Sequence, residues 1–429
     1  MRKTASSFGL RSILTIFAAS LLTAVIPATA QKASVLYSFH TSGKDGYAPY
    51  AGLVFDGVGN LYGATTTGGV YNGGTVFELS PNQNGGWTRK ILHQFTLYGS
   101  GGYAPYASLV LDAAGNLYGT TAYGGSVDLG TVFELTPAQG GSWKEKVLYS
   151  FGRFNSDGVI PFSGVTFDAA GNLYGTTSRG GAGCFGSGCG AVFELTPTAG
   201  GGWKEKILHR FQVKGVDGMS PIGGVILDAS GNLYGTTSVG GDPQCAGDGG
   251  GLPGCGAVFE LSPNADGSWT ETLLYAFTIN FWDGTYPYSG LVFDKSGNLY
   301  GTTFEGGRGG EGTVFELMPQ KDGSWDEKIV HAFGEQPGDG STPYAGVTVD
   351  AAGNLYGTTT SYGGYGTGMV FELTPMSGGS WSETLLHRFN GSDGSEPFGG
   401  VVLDAGGNLY GTTGSGGPNG GGTVFKIAP

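Results

Sequence analysis

The sequence predicts an all-β fold: a seven-bladed β-propeller with four antiparallel strands per blade, closed by an N-terminal strand that pairs in the last blade. Three observations predict it. One phrase recurs seven times, each repeat contains four short strand patterns and no helical pattern, and the two ends of the chain complete each other. Repeats of this size indicate a solenoid, a propeller or an array, and four strands per unit favour the propeller.

The repeated phrase is Asp-x-x-Gly-Asn-Leu-Tyr-Gly. Its copies begin 54 to 66 residues apart. They start at Asp56, Asp112, Asp168, Asp228, Asp294, Asp350 and Asp404. An Asp followed three positions later by a Gly suits a tight turn whose last residue is left-handed. We therefore expect each phrase to join the first two strands of a blade.

The second repeat illustrates the strand pattern. Its predicted strands are 108–112, 116–121, 131–135 and 143–151, separated by turns rich in Gly, Pro and Ser. Runs such as Val132-Phe133-Glu134-Leu135 are apolar on both sides, as expected for a sheet buried on both faces. Residues such as Tyr118 and Phe133 are predicted to pack between blades.

The ends of the chain predict ring closure. Six of the seven repeats carry a fourth strand, but the last repeat stops at its third strand, Thr423 to Pro429. A matching fourth-strand pattern, Val35 to Phe39, stands alone near the N-terminus. We therefore expect this strand to pair with Thr423 to Ile427 and complete blade 7. Closure also removes the exposed edge strands that promote aggregation.

Residues 1–30 resemble a secretory signal peptide. The basic residues Arg2, Lys3 and Arg11 precede an apolar stretch, Ile13 to Ile26. Ala28-Thr29-Ala30 then suits cleavage after Ala30. The alternative is an uncleaved membrane anchor. We expect a secreted, extracellular or periplasmic protein in which residues 31–429 form one propeller domain without a membrane span.

Composition restricts the partners. The chain has 87 glycines without a Gly-X-Y period, and 13% aromatic residues, so collagen and disorder are both disfavoured. Cleavage removes three of the 21 basic residues and none of the 34 acidic ones, so the net charge falls from −13 to −16. Such a surface repels nucleic acid. We expect a monomer with no nucleic-acid partner.

The repeat also resembles a known family. Gly-Asn-Leu-Tyr-Gly-Thr-Thr, followed by a Gly-Gly loop and Gly-Thr-Val-Phe-Glu-Leu, is similar to the Gloeo/Verruco (GloVer) tandem repeat of exported bacterial proteins. The similarity covers Val35 to Pro429. The first two strands also resemble the Asp-x-x-Gly-Asn-x-Tyr phrase of NHL-type propellers. These resemblances imply export and a propeller, but they imply no activity.

Four cysteines lie in the second-to-third-strand loops of two consecutive repeats. We expect disulfides Cys184–Cys189 and Cys245–Cys255, each within its own enlarged loop. Crossed pairing and a zinc site made of four thiolates are the alternatives. Because the enclosed loops are short, the disulfides are expected to stabilise the fold only modestly.

The histidines and repeated glutamates are interpreted as structural. His93, His209, His331 and His387 occupy one fourth-strand position that holds Tyr in other repeats, so we expect packing or hydrogen bonding and no metal site. The third-strand glutamates, such as Glu134 and Glu316, face fourth strands that carry Lys146, Lys206 and Lys328. Cross-strand ion pairs are expected there.

One face of the propeller is the candidate ligand site. The link from each fourth strand to the next first strand reads Asp-Gly-x-x-Pro-aromatic, with Gly101 replacing the Asp once and Ile222 replacing the aromatic residue once. If the first strand is innermost, the aromatic residues surround the channel mouth. The candidate residues are Tyr50, Tyr106, Phe162, Tyr288, Tyr344 and Phe398, with Asp45, Asp157, Asp283, Asp339 and Asp393. The alternative is that each aromatic residue packs between blades and each Asp caps its turn.

These patterns favour a non-enzymatic binding or interaction module, with a carbohydrate or a surface protein as its partner. No Ser-His-Asp order, HExxH motif or phosphate loop is present, so we expect no catalytic residue, metal or cofactor. A polysaccharide hydrolase or lyase acting at the channel mouth and a structural surface component are the alternatives. The insertions Gly180 to Gly190 and Gly240 to Gly256 break the symmetry and are the expected source of specificity.

Overall fold

The computed structural model describes residues 32–42, 44–154, 156–181, 188–212, 217–245, 253–362 and 366–428. Seven antiparallel sheets of four strands form the seven blades, as predicted. Blade 1 contains Val54–Phe55, Leu61–Thr65, Asn72–Pro81 and Trp87–Thr96; blade 2 contains Val110–Leu111, Leu117–Thr121, Thr131–Pro137 and Trp143–Ser150; blade 3 contains Thr166–Phe167, Leu173–Thr177, Ala191–Pro197 and Trp203–Arg210; blade 4 contains Ile226–Leu227, Leu233–Thr237, Ala257–Pro263 and Trp269–Ala276. Blade 5 contains Val292–Phe293, Leu299–Thr303, Thr313–Pro319 and Trp325–Ala332; blade 6 contains Thr348–Val349, Leu355–Thr359, Met369–Pro375 and Trp381–Arg388; blade 7 contains Val402–Leu403, Leu409–Thr413, Gly420–Ala428 and Lys32–His40.

Short ribbons of two strands accompany four of the blades. They pair Gly158–Val159 with Arg179–Gly180, Gly218–Met219 with Val239–Gly240, Gly284–Thr285 with Glu305–Gly306, and Gly340–Ser341 with Ser361–Tyr362. Within the described residues the helical structure amounts to one 3-10 turn, Gln139–Gly141. The same residues contain no helix with the length and apolar character needed to span a bilayer.

The repeated phrase forms the turn that its sequence predicts. In blade 2, Asp112 Oδ1 accepts hydrogen bonds from the backbone N–H groups of Ala114 and Asn116 at 2.8 and 2.9 Å. Its other oxygen accepts bonds from the Asn116 amide and the Tyr118 hydroxyl, and Gly115 closes the turn with φ 82°. Burial alone would raise the pKa of Asp112, but these hydrogen bonds hold it below its usual value. The phrase therefore specifies a turn stabilised by an ionised carboxylate.

The strands of each blade run outwards from the axis in chain order. The first strand of blade 2 covers only Val110–Leu111, shorter than the predicted 108–112, because the preceding residues approach a neighbouring blade around the axis. A Cβ at Gly164 would lie 2.7 Å from the Ser108 carbonyl oxygen, so only glycine fits this approach.

Farther out, Lys328 lies 3.8 Å from Glu316 across the third and fourth strands of blade 5, as predicted.

Neighbouring blades are joined by one aromatic contact that recurs at all seven junctions. A Phe at or just beyond the end of a fourth strand meets the third-strand Phe of the next blade, with ring centroids 5.0 to 5.2 Å apart. The pairs are Phe39–Phe77, Phe95–Phe133, Phe151–Phe193, Phe211–Phe259, Phe277–Phe315, Phe333–Phe371 and Phe389–Phe425. Most rings meet edge to face, a favourable arrangement for aromatic pairs. The core therefore lies between blades.

The N-terminal strand closes the ring, as the chain ends predicted. Lys32–His40 pairs antiparallel with Gly420–Ala428, and Val35 lies opposite Phe425. Phe39 is fully buried in a cluster that also contains Leu61 of blade 1. Blade 7 therefore combines strands from both ends of the chain, and its N-terminal strand also packs against blade 1.

Candidate functional site

The links that enter each blade share an unusual backbone conformation. In all seven, the residue before the proline is left-handed although it is not glycine, with φ between 54° and 60°. These residues are Ala48, Ala104, Ile160, Ser220, Tyr286, Thr342 and Glu396. The conformation costs about 1–2 kcal/mol for a residue with a Cβ. In the link into blade 3, Ile160 donates its N–H to the Leu129 carbonyl of blade 2 and accepts from Ser178 of blade 3. These two bonds hold the following proline and aromatic residue in place.

The residue after each of these prolines lines a single cavity of about 570 Å³ at the propeller axis, hereafter the mouth cavity. The seven residues are Tyr50, Tyr106, Phe162, Ile222, Tyr288, Tyr344 and Phe398. Gly, Ala, Ser and Val residues, such as Ala51 and Gly52, line the rest of it together with Tyr123. The structure therefore brings all six predicted aromatic residues together around one space.

The six aromatic rings form a continuous arc. Contacts run from Phe162 through Tyr106 and Tyr50 to Phe398, and on through Tyr344 to Tyr288; centroid distances lie between 4.7 and 6.1 Å. The arc is open at blade 4, where Ile222 occupies the equivalent position. Tyr50 and Tyr106 are nearly parallel, with an interplanar angle of 9°.

The tyrosine hydroxyls of the arc are hydrogen-bond donors across a wide pH range. Burial is the main cause that raises the pKa of Tyr50, Tyr106, Tyr288 and Tyr344 above its usual value. The nearby charge of Glu396 raises the pKa of Tyr50 further. The mouth cavity thus combines apolar ring faces with protonated hydroxyl groups.

A second ring of residues surrounds the mouth cavity and was missed from the sequence. In each blade, a link residue pairs through its backbone with the residue just after the second strand. The pairs are Tyr47–Thr67, Tyr103–Tyr123, Val159–Arg179, Met219–Val239, Thr285–Glu305, Ser341–Ser361 and Ser395–Ser415. A sequence signal exists: the position two residues after the last Thr of the second strand varies between repeats, whereas the next position is Gly in six of the seven. These pairs supply blade-specific side chains beside a nearly symmetric cavity.

The five predicted aspartates lie elsewhere. None of Asp45, Asp157, Asp283, Asp339 and Asp393 lines the mouth cavity. Each contacts a Tyr or His of the preceding fourth strand. Three accept a hydrogen bond from a Tyr hydroxyl, as in Tyr149–Asp157 at 3.1 Å, and two lie within hydrogen-bonding distance of a His ring nitrogen. Asp157 and Asp339 also accept backbone N–H groups of their own links. This placement matches the turn-capping alternative, and their participation in ligand binding stays a prediction.

At two blade junctions, a fourth-strand Glu lies near the Asp of a link. Glu205 of blade 3 lies near Asp157, and Glu327 of blade 5 lies near Asp283. Burial, followed by the charge of the neighbouring Asp, raises the pKa of each Glu to about 7. We call these positions the seam carboxyls. They were not predicted, because each Asp precedes the first strand of a blade and its Glu lies on the fourth strand, more than 40 residues later in the chain.

The histidines take part in these seams. His209 Nε2 lies 3.2 Å from Asp217, and His387 Nε2 lies 3.0 Å from Asp393. His331, Asp339 and Glu383 bring nitrogen and oxygen atoms within 4.8 Å of one another. Tyr149 and Tyr275 take the histidine position at two other seams, so the arrangement is shared by junctions that have no imidazole. Hydrogen bonding of the histidines was the expected role.

The structure contains the Cys245–Cys255 disulfide, with a Cα–Cα distance of 5.6 Å. Cys189 is also disulfide-bonded. Its predicted partner, Cys184, lies outside the described residues. Cys245 and Cys255 are buried against blade 5 residues such as Leu291 and Phe315. The Cys245–Cys255 disulfide thus anchors the enlarged blade 4 loop on the side that faces blade 5.

Several solved structures resemble this chain at low sequence identity. An ancestral GH74 enzyme is 13% identical with a TM-score of 0.57; the match covers 90% of this chain and 48% of the enzyme, so the chain spans about half its length. An aldose sugar dehydrogenase from Streptomyces coelicolor is 13% identical, with coverage of 93% and 98% and a TM-score of 0.46. A gluconolactonase from Xanthomonas campestris is 14% identical, with coverage of 93% and 89% and a TM-score of 0.40. Of these three, the GH74 enzyme alone has a TM-score above 0.5, and at 13% identity that similarity shows the fold alone.

Comparison with known sequences assigns the repeats to a family. No functionally described protein matches the sequence significantly. The family model of the Gloeobacter/Verrucomicrobia repeat matches residues 22–247 and again residues 245–429. Together the two matches include all seven copies of the repeated phrase. The chain therefore belongs to the Gloeobacter/Verrucomicrobia repeat family.

Proposed function

We propose that this protein is an exported, non-enzymatic binding module whose mouth cavity holds a carbohydrate. The observation that carries the proposal is the arc of six aromatic rings around one cavity of about 570 Å³. Ligand sites have volumes of this order and combine apolar walls with a few placed polar groups. A fold that supports many activities does not identify the ligand, so the proposal rests on the chemistry of the cavity.

A sugar complements the arc through both the faces and the edge of its ring. A pyranose ring presents axial C–H groups on its faces and hydroxyls around its edge. The faces of Tyr50 and Tyr106 offer apolar, electron-rich platforms for the C–H groups. The protonated hydroxyls of tyrosines such as Tyr344 donate hydrogen bonds to the sugar edge. The same rings would exclude water from the bound sugar.

The lining favours binding over catalysis. Its described residues are aromatic, aliphatic, Ser, Gly and Ala, with no carboxylate, imidazole, thiol or amine. Glycoside hydrolysis usually uses two carboxyl groups that flank the bond to be cleaved. Asp157 and Asp339 are instead buried in hydrogen bonds with their own links. A hydrolase or lyase is therefore the second candidate, and a structural surface component is the third.

Export is part of the proposal. The Cys245–Cys255 disulfide suits an oxidising compartment. We propose that residues 1–30 are removed as a signal peptide and that residues 31–429 act as one domain outside the cytoplasm. N-terminal sequencing of the protein recovered from its native compartment tests this part, and a start at a residue other than Gln31 would contradict it.

A glycan array probed with residues 31–429 tests the binding proposal. Tyr344→Ala should abolish binding because it removes the ring that joins Phe398 to Tyr288 in the arc. Tyr344→Phe should retain part of the binding, since Phe already occupies this position at Phe162 and Phe398. Tyr71→Ala is the matched control, because Tyr71 is exposed and lies outside the mouth cavity.

The outcomes separate the candidates. Glycan binding that depends on Tyr344 and occurs without release of reducing ends supports the proposal. Turnover in a parallel hydrolysis and elimination screen would replace it with the enzymatic alternative. If no glycan binds and the purified chain assembles into ordered layers, the structural alternative is correct.

A further inference from the structure

Several departures from sevenfold symmetry coincide at the junction of blades 4 and 5. Ile222 opens the aromatic arc at blade 4, and Phe304 adds an extra ring at blade 5. The longest loop between second and third strands, from Thr237 to Ala257, belongs to blade 4 and contains the Cys245–Cys255 disulfide. The symmetric fold does not require these differences. Their occurrence at one junction therefore indicates a specialised feature there.

A second cavity of about 480 Å³, the outer pocket, lies at this junction. The disulfide forms one side of it, and the link and loop of blade 5 form the rest. Phe281, Tyr286, Glu305 and Arg308 are among its lining residues. It therefore offers an aromatic ring, a carboxylate and a guanidinium group within one space.

The aromatic residues of this link are exposed on a well-ordered turn. Phe281 and Trp282 are 67% and 62% exposed, although exposing apolar rings side by side is unfavourable without a partner. Asn280 fixes the turn, because its Oδ1 accepts the N–H groups of Trp282 and Asp283 at 2.8 and 2.9 Å. The rings are thus presented to solvent by a local structure that has its own hydrogen bonds.

Trp282 positions the charged side chain of the outer pocket. The Arg308 guanidinium lies over the indole ring, with Cζ 5.3 Å from the ring centroid. Such a cation–π contact orients the guanidinium while its N–H groups remain able to donate hydrogen bonds. Phe281 stands perpendicular to Trp282 at 5.8 Å and presents its ring to the pocket.

The outer pocket and the mouth cavity share no lining residue, but nearby residues of blade 5 line both. Phe304 packs on Tyr288 of the mouth cavity with ring centroids 5.0 Å apart. The next residue, Glu305, lines the outer pocket, and so does Tyr286, two residues before Tyr288. A ligand that occupied both cavities would cross this ring pair to reach Phe281 and Arg308.

We propose that the outer pocket is a second carbohydrate subsite, and that the ligand is an oligosaccharide chain spanning both cavities. This inference rests on the proposed carbohydrate binding in the mouth cavity. One sugar unit packs its C–H face on Phe281, while Glu305 accepts and Arg308 donates hydrogen bonds to its hydroxyls. Trp282 acts as a positioning residue for Arg308.

The chemistry of the pocket favours a glycan over a protein partner. The exposed apolar surface consists of Ile279, Phe281 and Trp282, whereas a stable protein interface buries about 800 Å² on each partner. Charged side chains of opposite sign stand beside the rings, and hydroxyl groups can satisfy both. A protein partner is therefore treated as an outcome of the test.

The test is an array of oligosaccharide series, from monosaccharides to octasaccharides of cellulose, xylan, mannan, chitin and starch. It is probed with residues 31–429, with Phe281→Ala, and with Tyr344→Ala of the mouth cavity. Phe281→Ala should weaken binding of the longer members by about tenfold and leave the shortest bound members unchanged. Tyr344→Ala should weaken every member of the series.

Phe154→Ala is the matched control, because Phe154 is 69% exposed on the corresponding link of blade 3 and lies outside both cavities. It should bind like the unsubstituted chain. Glycan binding that ignores chain length or Phe281 overturns the subsite and leaves the proposed function intact. Absence of all glycan binding overturns both. A glycan-independent protein partner whose capture requires Phe281 overturns the subsite alone.

Discussion

Thr412 in the second strand of blade 7 donates a hydrogen bond from Oγ1 to the backbone carbonyl of Ala51 in blade 1, at 2.8 Å and 361 positions away in the chain. The same bond joins the other consecutive blades from blade 2 onwards. The pairs are Thr120–Ser163, Thr176–Gly223, Thr236–Ser289, Thr302–Ala345 and Thr358–Gly399, at 2.6 to 3.1 Å. Blade 1 has Ala64 at this position, so the junction of blades 1 and 2 lacks the equivalent bond.

Ala64→Thr should therefore stabilise the propeller. The introduced hydroxyl would donate to the carbonyl of Ala107, which corresponds to Ser163 in the next repeat. A hydrogen bond between protein groups contributes about 0.5–1.5 kcal/mol to the free energy of unfolding. Thermal unfolding of residues 31–429 should show a higher Tm for the variant.

Ala64→Val is the control, since valine has the shape of threonine but no hydroxyl group. It fills the same space without donating a bond, so its Tm should stay below that of Ala64→Thr. Equal Tm values for the two variants would show that packing, not the hydrogen bond, is limiting at this junction.

Most of the fold could be predicted because the repeats encode it locally. Asp112 and Gly115 specify a turn within a few residues, and the lone strand at Val35 specifies closure. The direction of Asp283 could not be predicted, since it depends on a left-handed backbone at Tyr286 and on a bond from Tyr275 in the preceding strand. Contacts between residues far apart in the chain, such as Glu327 near Asp283, could not be predicted from local patterns.

Deletion of residues 31–39 should severely destabilise the propeller. It removes the partner of Gly420–Ala428 and exposes an edge strand in blade 7. It also removes the buried ring of Phe39 from the contact with Phe77. We expect loss of the cooperative thermal transition or aggregation in size-exclusion chromatography. Cooperative melting at the Tm of residues 31–429 would contradict closure by this strand, and deletion of residues 1–30 alone is the control.

Stability should decrease as the pH rises from about 5 to 8. Burial and the facing Asp283 raise the pKa of Glu327 to about 7, and burial and Asp157 raise that of Glu205 to about 7. A carboxyl with a raised pKa binds its proton more tightly in the folded state. Its contribution is complete below the unfolded pKa near 4.5 and is lost as the pH passes through about 7. The Tm measured across this range should therefore fall.

Glu327→Gln tests the assignment to a seam carboxyl. The neutral amide cannot ionise beside Asp283 and Tyr275, so the decrease in Tm between pH 5 and pH 8 should become smaller. Asp326→Asn is the control, because Asp326 precedes Glu327 on the same strand and is exposed. An unchanged pH dependence in Glu327→Gln would assign the effect to other groups.

Removal of the Cys245–Cys255 disulfide should lower stability by about 2–3 kcal/mol. The two cysteines are 10 residues apart, so the bond restricts a short loop of the unfolded chain. Alanine is the suitable replacement, because both positions are only 1% exposed and pack against Phe277. The Tm of the double variant Cys245→Ala, Cys255→Ala should fall below that of the unsubstituted chain in non-reducing buffer.

Treatment with a reductant distinguishes the contributions of the two disulfides to stability. A reductant should lower the Tm of the unsubstituted protein by more than it lowers that of the double variant, because the variant can lose only the bond that contains Cys189. The remaining decrease in the variant then measures the stabilisation of the blade 3 loop. If the reductant lowers both Tm values equally, the Cys245–Cys255 bond contributes nothing to global stability. The blade 4 loop would then open without unfolding the ring.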